Sequence, residues 1–411
     1  MPIPKFNFFR IFLIAGVSIL VIVYGVLWVR MISSPSERTG ADFIVFFTAG
    51  RIAQTRGATS VYDQQLQQAV QQSEVLFPLV PGQVLLYNHV PYLIPILTVL
   101  ISGNYVASFY RWVVLLVVIY IAAATILSVL LKQSVKEKSL VWFTMVGLVT
   151  FFPLFVSLLN GQDTAFAFLG LCLYLLGIMM KRDWLAGLGL AFTSIRPQFA
   201  LLLAVPFIFR RQKAFGWFLL AGIFLGGISL LIVGLDGMRA FINLLLVSAS
   251  GGWYGLNEPA MVNLVGLLWR VVPGLGANSI HLIGWGIFGV TLVYLCILWA
   301  RSKNITEKEI GLAITLAVFV VPHLHYHDLT LLIVPIVLSL IFLLHNGNID
   351  EQQAAIVPLA LSLLFLFSYL FAVSKYNFPY VVMLCLVVSF YYPTVFFRKK
   401  KTIEYIDPAQ P

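Results

Sequence analysis

Four short stretches of this sequence place polar side chains in an otherwise apolar chain, and their residue types are suited to chemistry. Asp42 lies among phenylalanines in GADFIVFFTAG, and Arg196 lies in TSIRPQF with no carboxylate near it in sequence. NGQD occupies residues 160–163, and HLHYHD occupies residues 323–328. Such groups supply a carboxylate base, a cation for an anionic partner, and hydrogen bonds to hydroxyls or phosphate.

The composition of the chain indicates which solvent surrounds these groups. Of the 411 residues, 60% are hydrophobic and 10% are charged, with a mean hydropathy of +0.95. A soluble domain carries roughly 25% charged residues, so this chain cannot cover its surface in water. Its repeated apolar runs of about 18–25 residues are typical of membrane helices. The sequence therefore predicts an all-α polytopic integral membrane protein.

Basic residues predict the orientation of the chain. Most of the 26 lysines and arginines fall in short clusters between apolar runs and near both ends, and such clusters stay on the cytoplasmic side. Both termini are therefore predicted to be cytoplasmic in the cell membrane, with residues 11–29 as a retained signal anchor. This orientation explains the net charge of +10, so no nucleic-acid partner is expected.

The apolar runs predict about ten to thirteen membrane helices in a single domain covering residues 1–411. Three stretches are too short or too interrupted to count firmly: 88–102, 184–209 and 260–273. The firmer runs are 9–31, 106–131, 139–158, 163–180, 214–234, 281–300, 309–322, 329–344, 355–373 and 378–397.

Two long segments, 32–87 and 235–261, are predicted to lie outside the cell. Within the first, YDQQLQQAVQQ (residues 62–72) predicts a helix on the membrane surface, with Asp63 as its cap. Its glutamines lie on one face, and its apolar residues lie on the other: Tyr62, Leu66, Ala69 and Val70. The glycines of the second segment predict a loop.

Asp42 has two interpretations. It follows the first apolar run on the predicted outer side, where aromatic neighbours would desolvate a carboxylate and raise its basicity. It also follows Gly40 and Ala41 at the point where a helix toward Ile52 would begin, which fits an N-cap.

The other polar stretches also have alternatives. Arg196 lies where the apolar chain turns back on itself, so its guanidinium fits either a phosphate or a structural acid distant in sequence. In NGQD, the side chains of residues 160–163 fit either a polyol or the ends of two helices.

Metal and nucleotide chemistry have little support in the sequence. The spacing of His323, His325 and His327 brings the three together in a loop. No cysteine or glutamate partners accompany them, so hydrogen bonding to phosphate or hydroxyl groups is expected instead of a metal site. GWGIFG (residues 284–289) fits GxGxxG only within an apolar span, where small residues pack helices. No metal or other cofactor is expected.

Five stretches carry a pattern that extends over most of the chain: DFIVFFTAGRIAQTRGATSVYD (42–63), YNHVPYLIPIL (87–97), LNGQDTAFAFLGLCLYLLG (159–177), AFTSIRPQFALLLAVPFIF (191–209) and HLHYHDLTLLIVP (323–335). In this order they resemble glycosyltransferase family 87. The chain departs from the family at Arg196, where the family has lysine, and at residues 88–91, where the family has adjacent prolines.

The resemblance implies a C-type glycosyltransferase fold with a long first outer loop that carries the catalytic acid. The implied donor is a polyprenyl-phosphate sugar, typically mannose. The sugar is transferred with inversion on the non-cytoplasmic face to a glycolipid or glycan acceptor. Asp42 is then the general base, and the candidate substrate-binding residues are Arg51, Asn160, Gln162, Arg196, His325 and His327.

In this scheme Arg196 or a histidine of residues 323–327 stabilises the charge on the departing phosphate. Surface glutamines of residues 64–72, together with Trp253 and Tyr254, would guide the acceptor or the membrane lipid.

Two other functions remain compatible with the sequence. A transporter or flippase for a lipid-linked sugar would build a midplane site from the broken segments 88–102 and 184–209, although no internal repeat supports it. A polymerase or ligase of lipid-linked glycans would share the transfer chemistry.

Overall fold

The computed structural model of the protein describes residues 8–33, 39–74, 84–136, 138–249, 257–371 and 376–392. These residues form α-helices and short 3-10 turns, with no strand among them. The α-helices are α1 (Phe8–Ser33), α2 (Phe43–Arg56), α3 (Gln64–Glu74), α4 (Ile94–Leu100), α5 (Tyr105–Ser134), α6 (Lys138–Val149), α7 (Phe152–Asn160), α8 (Thr164–Met179), α9 (Asp183–Thr193), α10 (Pro197–Ala204), α11 (Phe207–Arg210), α12 (Gln212–Ala249), α13 (Leu264–Val271), α14 (Gly276–Arg301), α15 (Glu307–Val320), α16 (Ile333–His345), α17 (Glu351–Leu370) and α18 (Phe378–Tyr391).

Six helical segments of the described chain are long and apolar enough to cross a membrane: Ile11–Ser33, Tyr105–Ser134, Gln212–Val247, Pro273–Arg301, Tyr326–His345 and Glu351–Leu370. Four shorter apolar segments accompany them: Pro91–Leu100, Thr164–Met179, Pro197–Arg210 and Phe378–Tyr391. The predicted all-α polytopic fold is confirmed. Among the described residues, six segments are long enough to span a bilayer alone, which is fewer than the predicted ten to thirteen membrane helices.

One helix lies at the centre of the bundle. The segment Tyr326–His345 is 89% buried, whereas the other five long segments are 17–44% buried. Large apolar side chains on α12 and α14 point outward, including Leu231 at 86% and Leu282 at 75% exposure. Such a surface is stable against lipid tails and not against water. The long outer helices therefore enclose the segment that begins beside HLHYHD.

Helix α3 forms as predicted, but its glutamine face is not a free surface. Gln67 and Gln71 are buried, and their side chains bond the backbone of the next segment: Gln67 Oε1 accepts from Tyr87 N at 2.8 Å, and Gln71 Nε2 donates to Leu85 O at 2.7 Å. The glutamine side chains thus bond backbone groups of residues 85–87 in the way that a neighbouring β-strand would. Asp63 caps the helix as predicted, because its Oδ1 accepts from Gln65 N at 2.8 Å.

The second predicted outer segment is largely helical. Helix α12 continues to Ala249, and among its residues Gly234 has non-helical angles (φ 67°, ψ −179°). The glycines there predicted a loop, but the apolar side chains beyond the kink pack on the first outer segment, as with Phe241 on Tyr62 (ring centroids 5.1 Å apart). Residues 250–256, which include Trp253 and Tyr254, lie outside the described residues.

Two other apolar stretches are interrupted. The predicted run 139–158 divides into α6 and α7 at Phe151, just before Pro153. The short stretch 88–102 contains a 3-10 turn at Pro91–Leu93 followed by the seven-residue α4. This helix packs beside α2 through Gln54, whose Nε2 donates to Thr98 O at 2.8 Å and Ile101 O at 2.7 Å. Neither stretch therefore crosses as one continuous helix.

Residues 183–211 turn back on themselves, as the sequence predicts. Helix α9 ends at Thr193, and α10 begins at Pro197. At the other end of the segment, Arg211 Nη1 lies 2.8 Å from Asp183 Oδ1. This ion pair joins the two ends of the hairpin, so Arg196 lies at the tip, remote from the basic residues at its base.

Close backbone packing fixes this hairpin against α8. A Cβ atom added at Gly189 would lie 2.3 Å from Tyr174 N, and one added at Gly177 would lie 2.3 Å from Ala186 N. Small residues allow helix backbones to approach in a bilayer. The α8–α9 contact therefore sets the position of the tip that carries Arg196.

We expect Gly189→Ala to force α8 and α9 apart and to lower the free energy of unfolding by about 1–3 kcal/mol, as overpacking does. The matched control is Gly216→Ala in α12, where an added Cβ meets no atom within 4 Å and alanine is the better helix former. Thermal unfolding of the detergent-solubilised protein measures both. Equal midpoints for the two variants would show that the α8–α9 approach is not tight.

Candidate active site

A cavity of about 400 Å³ lies where the polar stretches meet. Its lining includes six of the seven predicted site residues: Asp42, Asn160, Gln162, Arg196, His325 and His327. They come from the residue that precedes α2, from the end of α7 and the turn that follows it, from the hairpin tip and from the segment before α16. The fold therefore brings together residues that are far apart in sequence.

Asp42 stands at the N-cap position of α2, but its side chain makes no capping hydrogen bond. Phe43, Phe46 and Phe47 are fully buried, whereas the Asp42 side chain is 31% exposed and lines the cavity. Asp42 therefore occupies the N-cap position without capping the helix, and its carboxylate remains available to a ligand.

The NGQD turn positions the backbone of Asp42. The backbone amide of Asp42 donates to Asn160 O at 3.2 Å. In the turn itself, Gly161 O accepts from Trp112 Nε1 at 2.8 Å. Gly161 has φ 70°, and a Cβ there would lie 2.8 Å from Phe43 Cβ. Glycine is the residue that tolerates both the left-handed angle and the close approach. The turn and the start of α2 are thus fixed to one another.

Arg196 pairs with two buried carboxylates. Its Nη2 lies 3.0 Å from Asp163 Oδ1 and 3.2 Å from Asp328 Oδ1, and both acids are at most 3% exposed. Asp163 also lies 2.7 Å from His89 Nδ1, and Asp328 accepts from Thr164 Oγ1 at 2.8 Å. The alternative of a structural pair with distant acids is therefore what the structure contains. Asp163 opens α8 without a capping bond, because its carboxylate serves this cluster.

His327 connects the cluster to Asp42. Its Nε2 lies 3.4 Å from Asp328 Oδ2, and its Nδ1 lies 3.9 Å from Asp42 Oδ2. The imidazole is 8% exposed, so it is held in place between the two carboxylates. Asp42, His327 and Asp328 thereby form a polar chain that ends at the Arg196 guanidinium.

His323 and His325 complete one wall of the cavity, with ring centroids 4.9 Å apart. Burial and the neighbouring imidazole of His327 lower the pKa of His325 to about 4. Burial and the imidazole of His325 also lower the pKa of His323 well below its ordinary value. Both rings are therefore neutral at pH 7 and offer N–H donors instead of positive charge. Among the described residues, no group of three or more His, Cys, Asp or Glu side chains is arranged to hold a metal ion.

Arg51 lies outside the cavity. Its guanidinium pairs with Glu74 on α3 and also donates to Gln54 Oε1 at 3.1 Å. The side chain ties α2 to α3, and this position gives no support to its predicted contact with substrate.

The far wall of the cavity contains a pair that sequence reasoning missed. Glu258 Oε1 lies 2.8 Å from His281 Nε2, and both side chains are at most 15% exposed. His89, which contacts Asp163, belongs to the stretch 88–91 that departs from the adjacent prolines of the family, and that departure does not indicate a site. Nothing in the local spacing of these residues indicates a site, because each partner comes from a different helix or turn.

A comparison with protein families matches residues 91–335, more than half of the chain, to glycosyltransferase family 87. The chain belongs to glycosyltransferase family 87. Comparisons with curated proteins and with solved structures gave no match. As a member of this family the protein is a membrane glycosyltransferase and not the transporter or flippase that the sequence left open. The matched residues include Asn160, Gln162, Arg196, His325 and His327, whereas Asp42 and Arg51 precede them.

We expect Arg196→Met to lower the free energy of unfolding by about 3–5 kcal/mol, because it leaves two buried carboxylates without their cation. Arg239→Met is the control, since its pair with Asp236 is on the surface, with side chains 73% and 97% exposed. Chemical or thermal denaturation in detergent compares the two. Adding Asp328→Asn to Arg196→Met should restore part of the loss. A small effect of Arg196→Met would contradict the role of the cluster.

We expect the stability to fall as the pH is lowered from about 6.5 to about 4, because the unfolded chain binds a proton at His325 that the folded protein does not. The pKa of this side chain is lowered in the folded state to about 4, so the fully stabilising condition lies above pH 6.5. The unfolding temperature at pH 7 and pH 5 measures the effect. It should be smaller in His325→Gln and unchanged in His345→Gln, whose side chain is 53% exposed. An unchanged pH dependence in His325→Gln would show that another group is responsible.

Proposed function

We propose that this glycosyltransferase moves a hexose, mannose, from a polyprenyl-phosphate donor to a glycolipid or glycan acceptor, with Asp42 as the general base. One observation carries the proposal: the Asp42 carboxylate, free of any capping bond, lines the same cavity as the hydrogen-bonding side chains of Asn160, Gln162 and His325. The Asp42 side chain is 31% exposed, so a sugar hydroxyl in the cavity can approach its carboxylate.

The transfer proceeds in one displacement. Asp42 takes the proton of the acceptor hydroxyl as the hydroxyl oxygen bonds to the anomeric carbon of the donor. The bond from that carbon to the phosphate oxygen breaks on the opposite side, and the electron pair leaves with polyprenyl phosphate. Attack opposite the leaving group inverts the anomeric centre. The reaction needs no metal in this scheme, because the donor carries a single phosphate.

The partners of these side chains support different parts for Arg196 and for the histidines in the proposed reaction. The Nη2 group of Arg196 already serves Asp163 and Asp328, so this guanidinium acts chiefly as a positioning group. His325 lines the cavity, and its neutral ring donates a hydrogen bond to the phosphate oxygen that gains charge. His327, held between Asp42 and Asp328, orients the base.

The position of the cavity supports catalysis on the non-cytoplasmic face. The N-terminus of α8 follows Asp163 of the cluster, whereas residues 181 and 182 beyond its C-terminus are basic. The hairpin has the same polarity, with Arg196 at the tip and basic residues at its base. Since basic residues mark the cytoplasmic side, the cavity belongs to the other face.

Transfer of radiolabelled mannose from polyprenyl-phosphate mannose, measured in membranes that contain the protein, tests the proposal. We expect Asp42→Asn to lower the rate constant by a factor of about 10²–10⁴, the usual contribution of a general base. Asp236→Asn is the matched control. This acid lies on α12 at the start of the segment 235–261 that is predicted to lie outside the cell, and its side chain is 97% exposed.

Equal transfer by the Asp42→Asn variant and the parent at equal protein level would refute Asp42 as the base. Transfer from a different polyprenyl-phosphate hexose, with none from the mannose donor, would refute mannose and leave the mechanism standing.

A further inference from the structure

A second cavity, of about 550 Å³, lies at the opposite end of the helices from the first. Glu307, the first residue of α15, lines it, and the 14-residue α15 ends at Val320, just before Pro322 of the first cavity. A helix of this length spans about 21 Å. The two cavities are therefore separate sites, and the second lies on the predicted cytoplasmic side.

The polar lining of the second cavity is strongly basic. Lys181, Arg210, Arg211 and Lys303 contribute four cations, and Glu307 contributes one carboxylate. Arg211 is neutralised by Asp183 at 2.8 Å, so two positive charges remain in excess. A cavity with this balance recognises an anion.

The two arginines and the two lysines differ in what they already bind. Arg210 donates to Trp299 O at 3.1 Å and Ala300 O at 2.9 Å, at the end of α14. Within the described residues, the ammonium groups of Lys181 and Lys303 have no ion pair or hydrogen bond, and both side chains are exposed at the rim. The arginines therefore build the site, and the lysines remain available to its ligand.

The remaining lining is apolar and points to an amphiphile instead of a small free anion. Leu175, Ile178 and Met179 of α8 form one wall, and Ile310 and Leu338 lie on α15 and α16. A free phosphate ion has no apolar group to pack on these side chains. A lipid, in contrast, places its headgroup at the basic rim and its glycerol and first methylenes against them. Basic pockets between membrane helices bind anionic headgroups in this way.

We propose that this second cavity is a binding site for the phosphate headgroup of an anionic membrane phospholipid, with Lys181 and Lys303 as the residues that contact it. The site is independent of sugar transfer. Bound lipid would add a further contact among the ends of α8, α11, α14 and α15, where Phe207 already packs on Tyr174 and Trp299.

Lipid titration of the purified, delipidated full-length protein in detergent tests the proposal without turnover. The probes are dioleoyl phosphatidylglycerol, dioleoyl phosphatidylcholine and soluble glycerol 3-phosphate, and the readout is the rise in unfolding temperature. We expect stabilisation by phosphatidylglycerol alone. The double variant Lys181→Gln/Lys303→Gln should bind it roughly 30-fold more weakly, from the usual contribution of two lysines at a charged lipid surface.

Two further variants separate a built site from general charge. Arg182→Gln/Lys213→Gln removes the same charge from exposed residues at the same end of the helices that do not line the cavity, and it should bind like the parent. Lys181→Arg/Lys303→Arg keeps the charge and should bind within a few-fold of the parent, which guards against a folding defect.

Three results would overturn the proposal. Equal weakening in both glutamine variants would indicate attraction to surface charge alone. Equal stabilisation by phosphatidylcholine would show that charge is not recognised. Stabilisation by glycerol 3-phosphate at the same concentrations as phosphatidylglycerol would indicate a site for a soluble anion.

Discussion

The buried pairing of one guanidinium with two carboxylates is the constraint on which the rest of the site depends. Arg196 contacts Asp163 and Asp328 at 3.0 and 3.2 Å. An unpaired carboxylate in this interior would be very costly, so three chain segments must meet at one point: the start of α8, the hairpin tip and the turn before α16. Because α16 is the most deeply buried of the long segments, the cluster joins the functional turn to the centre of the bundle.

The acids of the cavity are divided between structure and chemistry by their partners. Asp163 and Asp328 have cationic, imidazole or hydroxyl partners and are withdrawn from solvent. Asp42 is held through its backbone amide, at Asn160 O, and its carboxylate faces open space. A general base must be both fixed and accessible. In Asp42 the backbone amide is fixed by its hydrogen bond, while the carboxylate is accessible from the cavity.

The sequence was sufficient for features that depend on local pattern. Long apolar runs predicted the membrane class, and the helix that begins after Asp63 predicted its cap. The turn at Arg196 was predicted because the apolar arms on both sides of it lead to basic clusters on the same side of the membrane. The partners of Arg196 were not predictable, because Asp163 and Asp328 reach it through the tertiary fold. The same holds for Glu258 and His281, and for Gln67 and Gln71 of α3, which are buried where they bond the backbone of residues 85–87.

Helix α12 and Arg51 show the limits of motif reasoning. Glycines near Gly234 indicate a loop by composition, but packing on the first outer segment restores helix beyond one distorted residue. Arg51 belongs to a stretch that resembles the family, yet its guanidinium pairs with Glu74 and lies outside the cavity. In both cases a contact distant in sequence decides the structure.

The charge balance of the first cavity affects how the product, polyprenyl phosphate, is released from it. Asp42, Glu258 and Asp328 line it against the single guanidinium of Arg196. Under the proposed chemistry the donor is a phosphodiester with one negative charge, whereas the departing phosphomonoester carries about −1.5 to −2 at pH 7. Repulsion is therefore greater for the spent carrier than for the donor, and it increases again when Asp42 loses its captured proton to water. Turnover would thus eject the carrier lipid and limit inhibition by it.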